Sequence, residues 1–258
     1  MRFAGIIALA ALLTAGAVRA ADIPQDQRRS GYSFMTPDTR AMQDDDTANP
    51  GMLWVLDGEA LWKRKVGTAD KACADCHGEA RATMKGVAAR YPAFDKALGR
   101  PVDLEQRINL CRTNHQQASP LPYESRGLLA LTALVAQQSR GIAIETGAAP
   151  QLEPFLAKGR ELFMQRQGQL NLGCTNCHDD NWDKRLAGSA ITQAHPTGYP
   201  LYRLEWQSLG SLQRRLRACI TGIRAQAYDY GAPELVELEL YLMSRARGML
   251  VEAPAVRP

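Results

Sequence analysis

No stretch beyond residue 17 is apolar for long enough to cross a bilayer, so a helical membrane protein is excluded. Net charge is scarce too. The 31 Lys and Arg nearly balance the 27 Asp and Glu, leaving +4, which argues against nucleic acid as a partner. No alternating strand pattern of any length is present, which leaves helices as the expected framework. Between Met84 and Met164 there is no methionine. That gap becomes important once the cysteines are placed.

Residues 1–20 read as a secretory leader: Arg2 as the positive start, Ile6–Ala17 as a short apolar run, and Val18-Arg19-Ala20 as a small-residue cleavage site. Setting Arg2 and Arg19 aside lowers the formal charge from +4 to +2. The expectation is an exported chain without membrane insertion, periplasmic in a bacterium. Residues 21–50 are polar and turn-rich and read as an N-terminal arm with little regular structure.

Six cysteines in an exported chain first suggest disulfides, with fifteen possible pairings. Spacing points elsewhere. Cys73-Ala-Asp-Cys76-His77 and Cys174-Thr-Asn-Cys177-His178 are both C-x-x-C-H. In that pattern two thiols bond the vinyl groups of a c-type haem and the histidine supplies an axial ligand to iron. Two covalent haems are therefore expected. Cys111 and Cys219 remain, and a disulfide between them is open.

From residue 51 the chain is written twice. Gly58 and Gly159 each lie fifteen residues before the first cysteine of a haem motif. Tyr91-Pro92 matches Tyr199-Pro200, and twenty residues beyond each tyrosine stands a cysteine, Cys111 or Cys219. Each is preceded by Leu-x-x-Arg-x-x-x-Cys, as Leu104/Arg107/Cys111 and Leu212/Arg215/Cys219. An apolar helix then closes each half, from Tyr123 to Gly141 and from Tyr230 to Gly248. The expected fold is all-α, with two tandem class I cytochrome c-like domains, 51–141 and 155–250, joined by a linker at 142–154. The halves differ by a seven-residue insertion within Ser189–Gly198, which includes His195.

The methionine gap bears on the second axial ligand. Met84 is only seven residues past His77, too close to wrap around the ring, leaving Cys111 and His115, with a lysine as a weaker option. A ligand common to both repeats has to be the cysteine, because Ile223 stands where the first half has His115. Cys111 and Cys219 are thus expected on iron, where a thiolate favours the ferric state and lowers the potential. Buried structural cysteines are the competing reading. The stretch Leu212–Arg224 holds four arginines (214, 215, 217 and 224) and no acid, whereas Leu104–Gln116 holds two arginines and Glu105. Only the second site has the charge to attract a small anion. Arg215, one helical turn before Cys219, shares its face.

These motifs, with the run His195-Pro-Thr-Gly-Tyr-Pro-Leu-Tyr-Arg203 and the segments Arg29-Ser-Gly-Tyr and Ala41-Met-Gln-Asp-Asp-Asp, resemble the SoxA family of sulfur-oxidising bacteria over nearly the whole mature chain. The resemblance implies L-cysteine S-thiosulfotransferase activity, in which thiosulfate is joined oxidatively to a cysteine of SoxY in the SoxYZ carrier. It implies Cys219 as the catalytic cysteine, often a persulfide, Arg215 as a substrate contact, and the monohaem cytochrome SoxX as partner and electron exit. The alternative class is a plain dihaem electron carrier without sulfur chemistry.

Overall fold

The computed structural model describes residues 23–258; the expected leader at 1–20 lies outside them. The arm is more regular than its composition suggests. After two 3-10 turns, helix α1 spans Pro37–Asp44, with the Thr36 side chain accepting a hydrogen bond from the Thr39 backbone N–H and Pro37 at its first position.

The first half then runs α2 (Met52–Lys63), α3 (Cys73–His77), α4 (Ala80–Thr83), the strands β1 (Ala93–Asp95) and β2 (Arg100–Val102), α5 (Leu104–Cys111) and α6 (Arg126–Gln137). The second runs α7 (Glu153–Met164), α8 (Cys174–His178), the short hairpin β3 (Arg185–Leu186) and β4 (Ser189–Ala190), then β5 (Leu201–Arg203), β6 (Ser208–Gly210), α9 (Leu212–Gly222) and α10 (Pro233–Arg245). Strand β7 (Ala255–Arg257) follows and pairs in parallel with β5. The helical framework is as expected, but all-α needs correcting. Antiparallel hairpins β1–β2 and β5–β6 follow the two Tyr-Pro pairs, at equivalent places in the repeat. Strands of three residues are too short to show a period of two.

In each half the first helix crosses the last, α2 on α6 and α7 on α10. A glycine sits at each crossing. A Cβ on Gly58 would lie 2.3 Å from the Ala130 carbonyl oxygen, and one on Gly159 would lie 2.0 Å from that of Glu237. Both positions are glycine because the partner backbone occupies the space a side chain needs.

Helix α6 is buried on all sides from Leu128 to Ala136, which places it at the centre of the molecule. One core gathers Trp54, Trp62, Leu104, Leu131 and Leu134, and also takes Tyr202 and Leu209 from β5–β6. Another gathers Phe163, Leu212, Leu216, Leu235 and Leu242.

Equivalent residues meet each other between the halves, as in an isologous contact. Tyr123 stacks on Tyr230 with ring centroids 5.7 Å apart and planes 13° apart. Both tyrosines precede their closing helices, which begin at Arg126 and Pro233 instead. Residues 141–144 pair with 248–251 through four backbone hydrogen bonds, among them Gly141 N–H to the Val251 carbonyl and Gly248 N–H to that of Ile144, each 2.9 Å. Asp103 ties the seam, accepting from Tyr123 Oη at 2.8 Å and from Gln213 Nε2 at 2.7 Å.

Candidate haem sites and the Cys219 site

Helix α3 carries Cys73, Cys76 and His77 as a single turn. Its start is held by the Asp75 carboxylate, which accepts from the Ala72 backbone N–H at 2.8 Å. Trp62 donates from Nε1 to the Gly78 carbonyl at 2.8 Å and lays its ring 5.8 Å from that of His77. These residues line a cavity of about 250 Å3, together with Met84, Val87, Leu104, Ile108, Leu131 and Val135, and with Cys111 from α5. The donor set fits a covalently attached haem: two thiols and an imidazole on one short helix, an apolar surround, and a further thiol from another helix. Burial pushes the Cys111 thiol up, opposed by the charge of Arg107. His115 lines the same cavity, from the π-helical turn Arg112–Gln116 that follows α5. Arg107 is spoken for. It forms an ion pair with Asp95, the last residue of β1, and Asp95 is itself buried.

The second unit repeats this plan. Asn176 Oδ1 accepts from the Gly173 backbone N–H at 2.9 Å, as Asp75 does in the first. His178 Nδ1 lies 2.6 Å from the Thr192 carbonyl oxygen. Burial lowers the His178 pKa and favours the neutral imidazole. A neutral ring that donates from Nδ1 leaves Nε2 free for iron, which is the arrangement of a haem ligand. The Cys174 thiol is pushed up to about 12, first by burial and then by the charge of Cys219. Burial and then the charge of Cys219 also raise Cys177, so the α9 thiol lies near both cysteines of the second C-x-x-C-H motif. All six cysteines are free thiols, so Cys111 and Cys219 are not bridged.

The four arginines of Leu212–Arg224 do not act as one cluster. Arg214 stacks over Trp206, 4.2 Å from the ring centroid, and lies 3.8 Å from Glu124. Arg217 covers Tyr230 at 4.5 Å. Arg224 is exposed, beyond the end of α9. Arg215 alone is turned toward the site, where its charge depresses the pKa of His178 and opposes the rise at Tyr199. Cys219 is exposed, whereas Cys111 is half-buried.

Arg203, the last residue of β5, belongs to this site although the arginine count passed over it. Burial lowers its pKa first, then the charge of Arg215, while Tyr199, Glu205 and Cys219 oppose the drop. Its sequence signal is position. Arg203 stands twelve residues before Arg215, as Asp95 stands twelve before Arg107.

His195 is not part of the site. It is buried, its Nδ1 lies 3.0 Å from the Arg29 carbonyl oxygen, and burial lowers its pKa to about 4. Beside it Gln193 accepts from the Arg29 backbone N–H at 2.7 Å. The insertion is thus a seat for the N-terminal arm.

A family model described as the SoxA/TsdA cytochrome c domain matches residues 57–144 and 158–251. The chain is 39% identical over 232 residues to the L-cysteine S-thiosulfotransferase subunit SoxA of Rhodovulum sulfidophilum, covering 90% of this chain and 81% of that protein. It is 37% identical over 235 residues to the same subunit of Pseudaminobacter salicylatoxidans, covering 91% and 82%. Among solved structures, the crystal structure of SoxXA from P. pantotrophus superposes with a TM-score of 0.86 at 31% identity, covering 90% of this chain and 87% of that one. Among the described residues no helix is long and apolar enough to cross a membrane.

Proposed function

This chain belongs to the SoxA/TsdA cytochrome c family, and from that premise we propose that it is an L-cysteine S-thiosulfotransferase subunit that joins thiosulfate to the cysteine of a SoxYZ-type carrier in thiosulfate oxidation. The observation that carries this reading is the pairing on α9 of the Cys219 thiol with Arg215 one helical turn earlier, their charges both acting on the second C-x-x-C-H helix. An electron carrier needs no guanidinium for an anion beside its second ligand position.

The working unit is two tandem cytochrome c-like domains, 51–141 and 155–250, each with one covalent haem. Cys73, Cys76, Cys174 and Cys177 would attach the haems, and His77 with Cys111 and His178 with Cys219 would be the side chains offered to iron. Each bound haem supplies a one-electron acceptor. The monohaem partner SoxX completes the assembly in the periplasm.

In the chemistry, the Cys219 thiolate meets the sulfane sulfur of thiosulfate, held by Arg215 as a charge-assisted partner for the dianion. Formation of that S–S bond is a two-electron oxidation, with SoxX as the electron exit, and leaves an S-thiosulfonate on Cys219. The carrier thiolate then attacks the sulfane sulfur and the Cys219 thiolate leaves, so the second step is electron-neutral. A persulfide on Cys219 presents the same nucleophilic element with one more sulfur.

The test is an assay with thiosulfate, carrier and SoxX together, read by intact mass of the carrier. Cys219→Ala should abolish the thiosulfonate adduct while both haems stay attached. Adduct formation at the wild-type rate by that variant would refute the assignment.

A further inference from the structure

The two Leu-x-x-Arg-x-x-x-Cys helices are entered from hairpins that are built alike up to one charge. Each is preceded by a hairpin whose first strand ends three positions after the Tyr-Pro proline, at Asp95 in one half and Arg203 in the other. The register is the same: Ala93, Phe94 and Asp95 oppose Val102, Pro101 and Arg100, and Leu201, Tyr202 and Arg203 oppose Gly210, Leu209 and Ser208. Each helix then begins on a side-chain cap, Asp103 or Ser211. The carboxylate in the first half neutralises Arg107. In the second half the same backbone position brings a second guanidinium toward Arg215.

Two neighbouring cations in a partly dry site repel, and a dianion relieves that repulsion. The Arg203 side chain is only 11% exposed, and its Nε, although 3.1 Å from a carboxylate oxygen of Glu205, makes no aligned hydrogen bond. Glu205 is 65% exposed, so its charge is screened by solvent. The other arginine acting on Tyr199, Arg257, is paired with Glu252. Arg203 also faces the Trp206 ring at 5.4 Å, which orients the guanidinium without neutralising it.

We propose that Arg203 and Arg215 form a two-guanidinium cradle for the sulfonate end of thiosulfate, which leaves the sulfane sulfur turned toward Cys219. Two planar forks match the oxygens of a sulfonate better than one. The replacement of the Asp95 carboxylate by Arg203 is then what separates an anion-binding cysteine site from an ordinary ligand site. The inference rests on Cys219 being the thiol that accepts thiosulfate.

The experiment uses the holoprotein in complex with its monohaem partner. It combines calorimetric titration with thiosulfate, steady-state turnover with the carrier, and the optical and EPR spectra of both haems. Arg203→Gln is expected to raise the thiosulfate Kd and KM about tenfold or more, as for loss of a charge-assisted hydrogen bond. The carrier KM and both haem spectra should not move. Arg203→Lys should fall between wild type and Arg203→Gln. Arg203→Asp should be the weakest binder, because its carboxylate would capture Arg215 as Asp95 captures Arg107. Unchanged thiosulfate Kd and KM in Arg203→Gln would overturn the cradle. So would a shifted haem spectrum with unchanged thiosulfate affinity, which would assign Arg203 to a haem propionate. No saturable thiosulfate binding by the wild type would overturn it as well. Arg203-dependent binding without carrier conjugation would sustain the cradle and overturn the proposed activity instead.

Discussion

Cys111 and Cys219 occupy the same place in the same folded unit, yet their surroundings differ in three ways. Cys111 is half-buried and Cys219 exposed. Helix α5 ends at Cys111 and gives way to a π-helical turn, whereas α9 continues to Gly222. The arginine four residues earlier is tied to Asp95 in the first half and stands near a second arginine, Arg203, in the other. The shared features build a ligand pocket. The differences expose one sulfur and leave positive charge beside it. On the proposed assignment, a reactive site arises from a few changed side chains and one altered helix end on a repeated frame.

The sharpest way to break the comparison is to remove each sulfur in turn. Cys219→Ala should cut carrier conjugation by about a thousandfold or more, as expected for a nucleophile. Cys111→Ala should change the EPR signature of the first haem and leave the thiosulfate KM where it was. Equal losses in the two variants would make the sites functional equals and undo the assignment of Cys219.

The arginines come next. Arg215→Leu removes a charge-assisted contact worth about 1.5–3 kcal/mol, or roughly ten- to a hundredfold in kcat/KM for thiosulfate. Arg107→Leu should leave that kinetic constant alone. Its effect should be on stability, because Asp95 loses its counterion. Asp95 keeps hydrogen bonds from the Ala97 and Leu98 backbone N–H groups, and Arg107 is partly exposed, so the loss should be about 1 kcal/mol by chemical denaturation.

What sequence reasoning could see follows from the same comparison. The haem motifs, the Tyr-Pro pairs, Gly58 and Gly159, and the two cysteine helices recur at near-equal spacing, and repetition made them visible. The hairpins were invisible, since strands of three residues carry no periodicity. Tyr123 and Tyr230 were taken as helix starts because their spacing repeats, but what they repeat is a stacking contact across the seam. The count of four arginines treated sequence neighbours as spatial ones. Helix α9 turns Arg214 and Arg217 onto Trp206 and Tyr230, and only Arg215 toward the thiol side. Arg203 was legible in principle, by aligning it with Asp95. It lies outside the arginine-rich helix, so no count along that helix includes it. The insertion is visible as a length difference, but nothing in its sequence shows that the buried ring of His195 holds the arm.

The glycine crossings test whether the frame itself is equivalent in the two halves. Alanine at Gly58 or Gly159 would drive a methyl group into the Ala130 or Glu237 carbonyl. Overpacking of this kind costs about 1–3 kcal/mol, partly offset by alanine's better helix propensity. Thermal or denaturant unfolding of the holoprotein should show both variants destabilised by similar amounts. A large loss for one and none for the other would mean that only one crossing is close-packed.

A quieter difference lies at the second position of each cysteine helix, where Glu105 faces Gln213. Glu105 is buried, and its pKa is pushed up to about 8 by that burial and by the neighbouring Asp103 and Glu124. Glu239 adds to the crowd of acids: with Glu105 it lines a small cavity between Tyr91 and Tyr199, and it is itself raised by burial and then by Asp103 and Glu105. An acid whose pKa is higher folded than unfolded keeps its proton in the native state after the unfolded chain has released it. Its stabilising contribution is full below the unfolded value of 4.5 and is lost as pH climbs toward about 8. Unfolding midpoints measured across that window should therefore fall with rising pH, most cleanly above pH 6.5, where the opposite slope from the lowered His178 and His195 has ended. Glu105→Gln, which writes the second-half residue into the first, should flatten the fall, while the slope that remains reports Asp103 up to about pH 6 and Glu239 beyond it. A wild-type midpoint that does not move between pH 6.5 and 8 would show that Glu105 ionises as freely in the folded chain as outside it, and that the seam tolerates a charge which its burial argues against.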